Sequence, residues 1–157
     1  MKILYVHHAD RDRSNKNIDR QLQDITEKGI IEANLLAEKL NELNINIKAI
    51  YTSPYLRCKH TAELIKKHNN TKIIEEPRFN EMHNGETWTE FSLRNMKAID
   101  DIIKKHNNDD FIICVSSGVN LSAFVYYFNN INPNNDSPRM QAITTSPVLF
   151  TTNNQVF

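Results

Sequence analysis

At 157 residues the chain is long enough for one domain that buries about two-thirds of its unfolded surface. Its 19 basic and 19 acidic side chains cancel, so no global field draws it to nucleic acid or anionic lipid, and any anion site must be local. No segment approaches the ~20 apolar residues of a membrane span.

The N-terminus, MKILYVHHADRDR, begins like a signal peptide, but its apolar run is short and ends in charge. It reads instead as a first strand, Lys2 to Val6, apolar without alternation and therefore covered on both faces. Thr26-Glu27 opens a segment with Ile30, Ala33, Ala37, Leu40 and Leu43 on one stripe, which predicts an amphipathic helix of about five turns. Ala49 to Thr52 is a second strand. Ser53-Pro54 closes it and is expected to start a helix, with Ser53 as N-cap and Pro54 at the first helical position. That helix places Cys58, Ala62 and Ile65 on one side and fades across Lys66 to Asn70.

Lys72 to Glu75 is a short third strand, and residues 76–90 read as a loop. Phe91 to His106 is helical, with Met96, Ile99, Ile102 and Ile103 facing inward. Phe111 to Val115 is another continuous apolar strand, followed by Ser116-Ser117-Gly118 and a helix through Tyr127. Asn129 to Asp136 is a linker, and Ala142 to Thr151 a last strand. Cys58 and Cys114 lie inside apolar patterns without metal-ligand spacing, as buried thiols in a reducing, cytoplasmic compartment would.

Strands alternating with helices predict a three-layer α/β/α fold with a mostly parallel central sheet. Ligands of such sheets gather beyond the carboxyl ends of the strands. That rule selects His7-His8, the first helical turn after Ser53, and Ser116-Ser117-Gly118. His8 is a nucleophile and proton carrier near neutral pH, or else a packed imidazole. Arg57 can grip two phosphate oxygens with its fork, or simply face solvent. Ser117-Gly118 opens a helix whose free N–H groups suit an anion, or serves as a plain cap. Glu81, in the long loop, could protonate a leaving oxygen; Glu76, Glu86 and Glu90 compete for that role.

Five segments in order carry a family resemblance. ILYVHHADRD resembles a first strand that normally ends in Arg-His-Gly or Arg-His-Ala, and ITEKG a Leu-Thr-x-x-Gly segment. IYTSPYLRCKHTAELI resembles a Ser-Ser-Pro-x-x-Arg-x-x-x-Thr-Ala block, the most specific of the matches. FNEMHNGETW resembles a loop that carries an acid, and VSSGVNL a stretch that usually reads Ser-His-Gly. Together they resemble the histidine phosphatase, or phosphoglycerate-mutase-like, superfamily. The resemblance implies that His8 is the nucleophile that becomes phosphohistidine, Arg57 a phosphate-binding arginine and Glu81 the proton donor. It implies hydrolysis of a phosphate monoester in two steps, with no metal or organic cofactor. The substrate would be a small phosphorylated molecule or a phosphoprotein, held in a pocket with no large lid domain.

Two positions depart from the pattern. His7 stands where the family has arginine, and Ser117 where it has its second histidine. His7 supplies charge only when protonated, a minority state at pH 7 for an ordinary pKa of ~6.5, and Ser117 offers only a neutral hydrogen bond. His7 or His83 would partly restore charge in an active enzyme, whose hydrolysis acid would favour; a degenerate member would bind a phosphorylated ligand or protein partner without turnover. A metal site built from His7, His8, Asp10 and Asp12 is the third reading, disfavoured because adjacent residues on a strand point to opposite faces.

Overall fold

The computed structural model describes residues 1–68 and 70–152. Five strands form one sheet: β1 (Lys2–His7), β2 (Ile47–Thr52), β3 (Lys72–Glu75), β4 (Phe111–Ser116) and β5 (Pro147–Thr151), in the order β3-β2-β4-β1-β5. The first four are mutually parallel, and β5 closes the edge antiparallel to β1. Four helices, α1 (Glu27–Glu42), α2 (Leu56–Lys66), α3 (Trp88–Lys105) and α4 (Leu121–Phe128), cover the two faces.

Alternation along β1 divides the core. Ile3 and Tyr5 face α3 and α4 through Ala98, Ile99, Ile102 and Phe124; Leu4 and Val6 face α1 and α2 through Leu40, Cys58, Ala62 and Ile65. Both faces are apolar, which is why the strands read as unbroken hydrophobic runs. Cys58 and Cys114 are free and buried, and burial pushes the Cys58 thiol up to about 12, so neither is poised as a thiolate. Among the described residues no helix is long and apolar enough to cross a membrane.

Several boundaries differ from expectation. Leu43, expected on the apolar stripe of α1, is the exposed residue that ends it. Helix α2 starts at Leu56 rather than Pro54, with Tyr55 rather than Ser53 at its N-cap position. The Ser53 hydroxyl accepts the Tyr55 N–H at 3.4 Å and donates to Asn80 Oδ1 at 2.8 Å, tying the end of β2 to the loop after β3. Asn69, where this helix was expected to fade, lies outside the described residues. Helix α3 starts three residues early, through a capping box in which Thr87 and Glu90 satisfy each other's backbone N–H groups. The last strand begins only at Pro147, and Ala142 turns inward toward β1.

Candidate active site

The chain leaves β1 at His7, so His7 and His8 are not both held to strand alternation. Both imidazoles line one cleft of about 320 Å³ beyond the carboxyl edge, shared with Asp10, Arg11, Arg13, Arg20, Glu81, Met82, Ser117, Gly118, Val119, Gln141 and Thr144. The two rings meet edge to face with centroids 4.3 Å apart.

The backbone around His8 is gripped from two helices. Thr61 of α2 accepts the Ala9 N–H at 3.0 Å and donates to the Arg57 carbonyl at 2.6 Å. On the other side α1 presses Gly29 against the same segment; a Cβ there would stand 2.6 Å from the Asp10 carbonyl oxygen. The Thr-Ala and Gly motif positions thus hold the chain next to His8.

His8 Nδ1 lies 2.8 Å from the Ala9 carbonyl and must carry the hydrogen, leaving the Nε2 lone pair to accept from Arg57 Nε at 3.1 Å. Burial, reinforced by His7, pushes the His8 imidazole down to about 2, so it stays neutral and unprotonated at Nε2. Arg57 is wholly buried beneath the cleft. Its other nitrogens donate to the Arg20 carbonyl at 2.6 Å and to Glu81 Oε1 at 2.5 Å. The second Glu81 oxygen takes Arg20 at 2.6 Å, so this carboxylate bridges two guanidiniums.

The competing loop carboxylates are engaged elsewhere: Glu76 with Arg78, Glu86 with Arg94, and Glu90 in the capping box. Glu81 alone of the four lines the cleft. The segment carrying it is held from below by polar groups. Ser116 donates to the Phe79 carbonyl at 2.6 Å, and Arg94 donates to the carbonyls of Asn80 and Glu81 at 3.1 and 3.0 Å. Asn120 reaches the Phe79 carbonyl at 3.2 Å while donating to Asn95 at 2.7 Å.

Ser117 precedes a 3-10 turn, Gly118–Asn120, rather than the α-helix expected there; α4 begins only at Leu121. Its hydroxyl donates to Asn120 Oδ1 at 3.2 Å. Gly118 permits close approach, since a Cβ would meet the Ala142 carbonyl at 2.9 Å and His7 Cε1 at 3.0 Å. His7 Nδ1 donates to that carbonyl at 2.9 Å.

Two sequence expectations need correction. His7 is not readily cationic, because burial lowers its pKa from the usual value. His83 is exposed and lies outside the cleft lining. The positive groups in the lining are Arg11, Arg13 and Arg20, none of which the motifs single out; their signal is three arginines in the segment just after the first strand. The four groups of the metal reading do not assemble. Asp10 accepts the Thr26 hydroxyl at 2.9 Å and Asp12 the Ser14 N–H at 2.8 Å, and no described group of three or more His, Cys, Asp or Glu is arranged to hold a metal.

The two buried histidines predict acid sensitivity. The unfolded chain protonates its histidines near pH ~6.5, whereas folded His8 does so only near 2, so the unfolded state binds more protons between those values. Stability is therefore complete above pH ~6.5 and falls as pH drops below it, by at most about 1.4 kcal/mol per pH unit for His8. Guanidinium unfolding at pH 7 and pH 5 should show a smaller acid loss in His8→Asn than in wild type. Equal losses would refute this.

A mostly parallel sheet thus lies between two helical layers, and at its carboxyl edge His8 accepts a hydrogen bond from the buried Arg57. The profile described as "Histidine phosphatase superfamily (branch 1)" matches residues 6–88 and 82–156, and the chain belongs to that superfamily. A curated relative, "Putative phosphoserine phosphatase 2" of Hydrogenobacter thermophilus, is 36% identical over 89 residues; the match covers 55% of this chain and 43% of the relative. Bacillus stearothermophilus YhfR superposes with a TM-score of 0.77 at 20% identity, covering 98% of this chain and 92% of that one. A mutant phosphoserine phosphatase from Entamoeba histolytica, in complex with phosphoserine, superposes with a TM-score of 0.76 at 17% identity, covering 98% and 91%. At those identities the structures establish the shared fold.

Proposed function

We propose that the chain hydrolyses small phosphate monoesters through a phosphohistidine on His8. The observation that carries this reading is the state of His8: Nδ1 is committed to the Ala9 carbonyl, and the lone pair is on Nε2 beside Arg57. In the first step Nε2 attacks phosphorus while the bond to the leaving oxygen breaks. That oxygen takes its electron pair and a proton from Glu81, whose carboxylate, once freed from the guanidiniums, has taken that proton from the arriving phosphate monoanion. Water then attacks phosphorus, returns a proton to Glu81 and frees His8. As the phosphoryl group arrives, the Arg57 and Arg20 donors transfer from Glu81 and His8 to its oxygens, which releases both groups for the chemistry. The modest cleft favours a small substrate, and the phosphoserine phosphatases among its relatives support one of that class.

A second reading, ligand binding without turnover, is favoured by the neutral groups at His7 and Ser117 and by the hold of Arg57 on Glu81. One experiment separates the two. Brief incubation with an aryl phosphate, quenching in base and peptide mass spectrometry should find phosphate on His8 as an acid-labile, base-stable adduct. Phosphate binding without any adduct or product release would leave the second reading standing and remove the first.

A further inference from the structure

We propose that Arg11 is a further phosphate-binding arginine of this cleft, beside Arg57 and Arg20, taking over the part that an arginine at position 7 would have played. This rests on the phosphatase reading and extends it to a residue to which the motif comparison gives no role. Arg11 lines the cleft with His7, His8 and Ser117. Its Nε is buried and has no hydrogen-bond partner. A buried guanidinium nitrogen left unpaired costs free energy unless an acceptor arrives, and a phosphate oxygen is such an acceptor.

The surroundings make an anion the fitting occupant. Arg57, Arg20 and Arg13 all act on Arg11 to disfavour its charge, alongside its burial, and Glu81 is the carboxylate that opposes them. Glu81 is already shared between Arg57 and Arg20. Arg11 shares the cleft lining with His7 and His8, and its charge adds to the lowering of both imidazole pKa values. Its backbone is held in place on both sides. Arg11 makes an isolated bridge with Ile25, and the Asp12 N–H donates to the Asp24 carbonyl at 2.8 Å. Pairing of this kind fixes the backbone from which the Arg11 side chain enters the cleft, which reduces the ordering cost of binding.

Calorimetry with inorganic phosphate tests the assignment. Arg11→Ala should weaken binding roughly 10- to 100-fold, the scale of one lost charge-assisted hydrogen-bonding group. Arg11→Lys should lose less, and Arg11→Ala combined with His7→Arg should regain part of the affinity. Thermal unfolding of each variant checks that the fold persists. Wild-type affinity in a folded Arg11→Ala protein would overturn the assignment, while a His8 phospho-adduct in that same protein would leave the phosphatase reading intact. A wild-type chain that neither binds phosphate nor forms the adduct would overturn both.

Discussion

Replacing His8 is expected to lower aryl phosphate hydrolysis by roughly 10⁴-fold or more, the scale of removing a covalent nucleophile from an otherwise intact site. His8 Nε2 carries its lone pair beside the buried Arg57 and stays unprotonated at neutral pH. Alanine would also strip partners from the Ala9 carbonyl and Arg57 Nε, so a loss with that variant alone could reflect disturbed packing. His8→Asn is the cleaner substitution, because its side-chain amide can still donate to the Ala9 carbonyl while offering no nucleophile. Steady-state rates for wild type and His8→Asn decide the matter; equal rates would mean that the chemistry lies elsewhere.

Ser117→His should have the opposite sign, raising the hydrolytic rate roughly 100- to 1,000-fold. Restoring one donor to developing negative charge is worth on the order of 2.7–4 kcal/mol. The position faces the cleft, and its hydroxyl gives up only a 3.2 Å hydrogen bond to Asn120. Adding His7→Arg would extend the gain, though by less than a second full factor, since groups acting on one phosphate are seldom additive. The longer side chain must also part from the Ala142 carbonyl and clear Gly118, where space is tight. A single-turnover comparison with saturating aryl phosphate reads the effect on chemistry directly. No change in a folded Ser117→His protein would show that the serine is not what limits the rate.

The core and sheet are legible in the sequence because they obey periodicities. Unbroken apolar runs mark β1 and β4, and the stripe of Ala33, Ala37 and Leu40 marks the buried face of α1. The ordered motifs name His8, Arg57, Glu81 and Ser117, which are scattered in sequence and gather around one cleft in space. What sequence cannot convey are long-range claims on local signals. Ser53 has the chemistry of a cap, but its hydroxyl is drawn to Asn80, 27 residues away, and α2 begins later. Ala142 looks like strand, but its carbonyl is taken by His7. The Thr87–Glu90 box has a readable spacing, yet Gly85 and Pro77 nearby suggest loop throughout and mask it. Arg11, Arg13 and Arg20 sit in an aperiodic segment, where no spacing rule says which side chains turn inward.

The salt link from Glu81 to Arg57 and Arg20 has a consequence for how the cleft would select its guest. These guanidiniums are already satisfied by a tethered carboxylate at 2.5 and 2.6 Å, so recruiting them is an exchange of one anion for another. A monoanionic visitor offers them little that Glu81 does not. A dianion with three oxygens can engage them and still have an oxygen to spare for a third partner. Under the proposed phosphatase activity, the internal rival would turn a generally positive hollow into one that discriminates by charge and shape, favouring a phosphoryl group over carboxylates and halides.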